Sequence, residues 1–166
     1  MIGPKPSRVN EAEAATKGVG EVTASLVIDA PVEAAFAAFV SWERQGLWIP
    51  CTSVTVAEGD GGVGSSIEAV TRVGPAAVRD VMRVVQVDPP RLVRVVHHGR
   101  ILRGPGVMRC TPMGGGRTQV VWHEWFHVPG SAAGRAVWPL LWPGSKAGLT
   151  TALRKFAKLV ESGVLP

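Results

Sequence analysis

The fold is decided near the start of the chain, in the stretch EVTASLVIDAPVEAAFAAFVSWERQGLWIP, residues 21–50. Apolar residues first alternate along residues 22–28, which is the period of a strand with one buried face. Pro31 then suits the first turn of a helix, where its missing N–H has no partner in any case. The residues that follow have the spacing of an amphipathic helix. Its apolar positions are Val32, Ala35, Phe36, Phe39 and Val40.

The middle of the chain, residues 52–128, has the pattern of β-strands separated by turns. The turn segments GDGGVG, DPP and PMGGGR divide runs rich in Val, Ile and Thr. This spacing predicts antiparallel hairpins, with one strand broken around VMRC, residues 107–110. Residues 129–144 are expected to be irregular because Pro139 and Pro143 interrupt a helix. A last amphipathic helix is predicted from Ser145 to about Ser162 and would cover the apolar face of the sheet.

Composition and charge describe one globular domain. The chain has 166 residues, 46% of them hydrophobic, and a net charge of +5. No apolar run reaches the ~18 residues of a membrane span. Residues 1–20 resemble a polar tail without a secretion signal, so we expect a cytoplasmic protein with one domain over residues 21–163. The two cysteines have no metal-ligand spacing, and we expect no cofactor. Nine arginines between Arg72 and Arg117 form no nucleic-acid motif, so no nucleic-acid partner is expected.

The segment VVWHEWFHVPG, residues 120–130, contains the zinc-peptidase signature H-E-x-x-H at His123, Glu124 and His127. The surrounding residues favour a strand, in which the two histidines would lie ~13 Å apart, too far for one ion. After His127 the chain has no His, Asp or Cys. We therefore predict neither a zinc protease nor a metal site. The neighbouring His97 and His98 would face opposite sides of a strand, and one of them could face the interior.

Several motifs together resemble the START-like, polyketide cyclase/dehydrase superfamily, often called SRPBCC. They are residues 22–50 with Ala30–Glu33 and Trp48–Pro50, VVQVDPPRLVRV (84–95), GGGRTQVVWHEWFHVPG (114–130) and LRKFAKLVE (153–161). The resemblance implies an α+β helix-grip fold, a curved antiparallel sheet of about seven strands around a long C-terminal helix. It also implies a cavity for an apolar ligand. Members of the superfamily bind lipids, sterols or polyketides, and some catalyse cyclisation or dehydration without a shared catalytic triad.

Such a cavity would be lined by every second residue of the last strand, those on its inward face, and by the apolar stripe of the helix. Of the two sets of alternate residues, we expect the more apolar one, with Val120 and Trp122, to face inward. The other set, with His123, remains an alternative. Glu124 shares the inward parity and would be a candidate acid or base, or would pair with Arg83 or Arg94. Trp48 is expected near the entrance. The other expected ligand contacts are Val120, Trp122, Phe126, Leu149, Leu153 and Phe156.

Three functions are compatible with this interpretation. The first is binding or carriage of a hydrophobic small molecule, such as a lipid or polyketide-like compound. The alternative is a cyclase or aromatase in which Glu124 and a nearby histidine move protons. The third is a regulatory protein that acts through a partner. The segment VWPLLWPG, residues 137–144, is expected at the cavity mouth, where it would contact an anionic membrane unless its tryptophans fold inward. The oligomeric state is left open.

Overall fold

The computed structural model describes residues 20–99, 103–125 and 132–165, with only the backbone at residues 73 and 132–145. The predicted polar tail therefore lies outside the described residues. The elements in chain order are strand β1 (Glu21–Ile28), helix α1 (Val32–Val40), a 3-10 helix (Trp42–Leu47), strands β2 (Thr52–Glu58), β3 (Ser66–Val73), β4 (Ala76–Asp88), β5 (Leu92–His98), β6 (Arg103–Gly114) and β7 (Arg117–Trp125), and helix α2 (Ala132–Glu161).

The described strands form one antiparallel sheet in the order β1-β7-β6-β5-β4-β3-β2. Each strand from β2 to β6 pairs with the next one in sequence, as hairpins do, and β1 adds to the outer edge of β7. Register shifts interrupt three of these pairings, and an extra residue in one strand bends the pair. The result is a curved sheet with a C-terminal helix, so the predicted helix-grip fold is confirmed.

The core lies between the concave face of the sheet and the helices. Four aromatic side chains meet there, with ring centroids 5.1–6.1 Å apart. They are Phe39 from α1, Trp48 after the 3-10 helix, Trp122 from β7 and Phe156 from α2. Aromatic pairs at these separations and tilted angles stabilise a core beyond the area they bury. This cluster ties α2 to the sheet and to the N-terminal helices.

Two predictions are wrong, the break in one strand and the start of the last helix. Strand β6 is continuous through VMRC, where residues 107–109 pair in register with residues 92–94 of β5. Helix α2 begins at Ala132 and runs through Pro139 and Pro143. A proline inside a helix costs about 3 kcal/mol, and burial elsewhere along a long helix can offset such a cost. No helix in the described part of the chain is long and apolar enough to cross a membrane.

Candidate functional site

A cavity of about 260 Å³ lies between the sheet and the helical segments. Most of its wall is apolar. The polar part of the wall includes Asp80, His97 and Glu124, which come from β4, β5 and β7. The apolar part of the wall is formed by Phe39, Trp42, Ile49, Ala69, Val78, Met82, Val93, Val95, Val107, Met108, Trp122 and Leu149.

The three ionisable side chains form one hydrogen-bonded cluster. His97 Nδ1 lies 2.7 Å from Asp80 Oδ2, and His97 Nε2 lies 3.0 Å from Glu124 Oε2. All three residues are buried, with 6–7% of their surface exposed. The imidazole therefore bridges two carboxylates inside the wall of the cavity. We call these three residues the carboxylate–histidine cluster.

The cluster forms because two inward-facing strand positions, which are otherwise apolar, hold polar residues. Asp80 shares its side of β4 with Val78 and Met82, and His97 follows Val93 and Val95 along β5. Because alternate residues of a strand share one face, each of these polar side chains points into the cavity. Asp80 and His97 lie on neighbouring strands, so they meet directly.

Glu124 reaches His97 only because β6, the strand between β5 and β7, has a glycine at the crossing point. Gly106 is the register partner of Glu124. A Cβ atom at Gly106 would lie 2.5 Å from Glu124 Oε2 and 2.8 Å from Oε1. Neighbouring strands are ~4.8 Å apart, so β5 and β7 are about twice that distance from each other. The carboxylate occupies the space that any other residue at position 106 would fill.

Trp122 fixes the second oxygen of the Glu124 carboxylate. Its Nε1 donates a hydrogen bond of 2.6 Å to Glu124 Oε1, and the two side chains share one face of β7. Asp80 differs, because its buried Oδ1 accepts no hydrogen bond within the described part of the chain. An unsatisfied buried acceptor costs about 1–3 kcal/mol. In the cluster, both oxygens of Glu124 thus accept a hydrogen bond from a described residue, whereas only one oxygen of Asp80 does.

The environment of His97 favours its charged form. Burial by itself lowers the pKa of this histidine. The charge of Glu124 and the hydrogen bonds to Asp80 and Glu124 act in the opposite direction and together raise the pKa to about 10. At neutral pH His97 is therefore an imidazolium that donates one N–H to each carboxylate.

The structure brings some of the expected contact residues to the cavity and leaves others behind its wall. Trp122, Glu124 and Leu149 line the cavity. Val120, Leu153 and Phe156 are fully buried in the core next to it and are not part of the lining. Phe126 lies outside the described residues, as do His127 and Val128.

The expectation that Trp48 sits near the entrance is wrong. Its side chain is fully buried, with its ring centroid 5.1 Å from that of Phe156 and 5.4 Å from that of Trp122. A large apolar ring fills the gap between the 3-10 helix and α2 more favourably than it would cover an opening, because burial removes its surface from water. Trp48 therefore supports the wall from behind.

Glu124 does not pair with either arginine that the sequence offered. Arg83 is exposed and donates to the carbonyl oxygen of Gly64. Arg94 lies between Val93 and Val95, which line the cavity, so its side chain lies on the opposite face of β5. His123, on the opposite face of β7 from Glu124, stacks on Trp125, and its Nε2 is 2.9 Å from Glu21 Oε1.

The H-E-x-x-H motif begins in a strand, since His123 and Glu124 belong to β7. Their side chains lie on opposite faces of that strand, so they do not share one site. Among the residues that the structure describes, no group of three or more His, Cys, Asp and Glu side chains is placed to hold a metal ion.

Sequence reasoning missed Asp80 as a member of the site, and it left open whether His97 or His98 faces the interior. A signal for both Asp80 and His97 was present, because each is the polar exception in an alternating apolar set of β4 or β5. What the sequence did not contain was the register that places them beside each other and, across Gly106, beside Glu124.

Comparisons with known proteins agree with this architecture. Residues 19–161 match the model of the family described as polyketide cyclase/dehydrase and lipid transport. No curated protein is similar enough in sequence to count as a match. Among solved structures, the Zhui aromatase/cyclase from a Streptomyces species is 16% identical, with a TM-score of 0.75, over 87% of this chain and 95% of that one.

Two further structures have the same fold. A protein from Thermus thermophilus is 19% identical, with a TM-score of 0.74, over 87% of this chain and 99% of that one. Ara h 8.0201 is also 19% identical, with a TM-score of 0.68 and the same coverage. These identities are too low to transfer a ligand or a reaction, but the family model spans most of the chain. The chain belongs to the polyketide cyclase/dehydrase and lipid transport family.

Proposed function

We propose that the protein binds a compact hydrophobic molecule, lipid-like or polyketide-like, in the cavity between the sheet and the helices. The observation that carries this proposal is the cavity itself, about 260 Å³ in volume, with a mostly apolar wall and one cluster of polar groups. Small-molecule sites have this composition, because apolar contacts supply affinity and a few polar groups fix orientation. The volume is slightly below the ~300 Å³ at which drug-sized sites begin, so the occupant is compact or inserts one end.

A cavity-filling substitution tests this proposal. Ala69 on β3 lines the cavity, whereas Ala77 on β4 is exposed. Ala69→Phe places a ring in the cavity, and Ala77→Phe adds the same ring to the surface. We expect an apolar fluorescent probe to bind wild type and Ala77→Phe alike and to bind Ala69→Phe at least tenfold more weakly. Equal binding to the three proteins would place the probe elsewhere and overturn the proposal.

The carboxylate–histidine cluster favours an enzyme of the cyclase or aromatase kind as a second candidate. Replacing buried ionic groups by apolar residues is often neutral or stabilising, so stability alone does not account for such a cluster. In an aldol-type ring closure, a carboxylate accepts a proton from the carbon beside a ketone, and that carbon attacks a second carbonyl. An acid then protonates the resulting alkoxide. Glu124 or Asp80 would be the base, and the His97 imidazolium would be the acid, because protonating the base weakens its bond from His97 and frees that N–H.

Turnover separates the two candidates. The assay incubates the protein with a short poly-β-ketone and follows by absorbance the aromatic product, which forms when the aldol product loses its new hydroxyl as water and the remaining ketones enolise. An enzyme gives product faster than buffer, and Glu124→Gln loses that rate by about a hundredfold or more while it still binds the apolar probe. A carrier gives no rate above buffer in either protein. Glu58→Gln, an exposed change of the same kind on β2, serves as the matched control.

A further inference from the structure

The charge of the cavity wall constrains the polar end of the molecule that binds there. Two carboxylates in the cluster share one imidazole, so a single imidazolium balances only one of them. None of the described residues that line the cavity is a lysine or an arginine. Arg94 lies on the opposite face of its strand. The polar side of the cavity therefore carries an excess of negative charge in an apolar setting.

Most of the side-chain hydrogen-bond donors in the wall are already bonded to acceptors of the protein. The indole N–H groups in the described lining already have acceptors, since Trp122 Nε1 donates to Glu124 and Trp42 Nε1 donates to the carbonyl of Gly61. Gln45 Nε2 donates one of its two N–H groups to the carbonyl of Phe39. The hydroxyls of Thr52 and Thr71 bond each other, and Thr52 also bonds the carbonyl of Pro50.

By contrast, Asp80 Oδ1 is a buried acceptor that lacks a donor within the described residues. Trp48 Nε1 is a donor without an acceptor among those residues, but Trp48 lies behind the wall and is not part of the lining.

We propose that the polar end of the bound molecule is an uncharged or cationic hydrogen-bond donor, such as a hydroxyl, phenol or amine, that docks on the Asp80 side of the carboxylate–histidine cluster. Molecules that end in a carboxylate or phosphate are rejected. This inference rests on the proposed function and adds the chemical class of the ligand's polar group.

The physical basis is that a buried carboxylate attracts hydrogen-bond donors and repels anions. A donor that reaches the cluster forms a hydrogen bond to a charged acceptor, which is stronger than a bond between neutral groups. An ether or ketone offers only acceptors and, apart from the second N–H of Gln45, finds no available side-chain donor in the described lining. A carboxylate has to leave water and approach like charge in a medium of low dielectric constant, which is unfavourable on both counts.

A matched series of probes tests the inference on the full chain. Naphthol, naphthyl methyl ether and naphthoate share one ring system and differ in the polar group, which is a donor, an acceptor and an anion. Isothermal titration calorimetry at neutral pH gives their affinities for wild type. We expect naphthol to bind about tenfold or more tightly than the ether, and naphthoate to bind more weakly than both.

Asp80→Asn gives a second, independent readout. Asparagine keeps the shape and one acceptor oxygen for His97 but replaces the free oxygen by an N–H donor. We expect the preference for naphthol over naphthoate to fall by about tenfold or more or to reverse. Asp88→Asn, the same change at an exposed position of β4, should leave the preference unchanged. If Asp80→Asn does not fold, the wild-type series decides alone.

The outcomes separate this inference from the proposed function. Equal affinities for the three probes, or tightest binding of the ether or of naphthoate, overturn the donor preference. If Ala69→Phe still weakens those probes, the binding function stands. Failure of the three probes to bind wild type at all overturns both.

Discussion

Gly106 provides the sharpest structural prediction, because the carboxylate–histidine cluster depends on its missing side chain. The substitution Gly106→Ala adds one methyl group, which would lie 2.5 Å from Glu124 Oε2, 2.8 Å from Oε1 and 2.9 Å from Cδ. Real Cβ atoms do not approach other atoms this closely, so the carboxylate must move. We expect the movement to break the bonds from His97 Nε2 and Trp122 Nε1 to the two carboxylate oxygens.

The expected loss of stability follows from these contacts. A hydrogen bond to a charged group contributes about 1.5–3 kcal/mol, and opening a buried ion pair costs ~3–5 kcal/mol. Because the methyl group reaches both oxygens, we expect Gly106→Ala to lower the free energy of unfolding by ~3 kcal/mol. Gly148→Ala is the matched control. Gly148 is exposed in helix α2, and outside the helix's own nearby backbone no atom of the described residues lies within 4 Å of its would-be Cβ, so alanine there should stabilise by about 0.5–1 kcal/mol.

Denaturant unfolding measures these differences, and a double-mutant cycle assigns the cause. In a Glu124→Ala background the carboxylate is absent, so Gly106→Ala should then change stability by less than ~1 kcal/mol. If Gly106→Ala costs the same in both backgrounds, the methyl group acts on the backbone of β6, and the reasoning about the carboxylate is refuted.

Three further predictions concern the ionisable groups. Glu124→Gln should destabilise the fold by about 1.5–3 kcal/mol in denaturant unfolding, whereas Glu58→Gln on the surface should stay within ~0.5 kcal/mol; equal effects would place Glu124 outside the cluster. Because the folded-state pKa of His97 is raised from 6.5 to about 10, its contribution to stability is complete below about pH 6.5 and is lost as the pH rises through about 10. Unfolding midpoints across that range should fall in wild type and stay flatter in His97→Gln. Burial raises the pKa of the Cys110 thiol to about 12, while Cys51 is exposed, so a thiol reagent at neutral pH should label Cys51 in the folded protein and Cys110 only after unfolding; equal labelling rates would contradict this.

Much of the fold could be predicted because its signals are local. Alternation along residues 22–28, helical spacing after Pro31 and turn segments between the strands each depend on neighbours in sequence. The inward placement of Trp122 and Glu124 follows from the same period of two. The sequence predicts helix α2 too short, since the rule that proline ends helices is also local, whereas the helix continues through Pro139 and Pro143.

The site could be predicted only in part, because its chemistry depends on cross-strand register. The alternation of β7 alone identifies Glu124, but it leaves open whether the carboxylate acts with a nearby histidine or pairs with an arginine. The actual partner, His97, is 27 residues away in sequence and is reached across Gly106. A single glycine in the segment GPG is a weak signal, since glycine also marks turns and bulges. Only the sheet order shows that this glycine lies opposite the carboxylate.

The cavity is the central claim, and its methionines allow the most direct test. The chain has four methionines, of which Met82 and Met108 line the cavity and Met113 is exposed on β6. With the methionine methyl groups labelled with carbon-13, nuclear Overhauser effects between a bound apolar probe such as naphthol and the protein can be assigned to single residues. We predict contacts from the probe to the methyl groups of Met82 and Met108 and none to Met113. Contacts to Met113, or binding that leaves the signals of Met82 and Met108 unchanged, would contradict the claim that the cavity is the binding site.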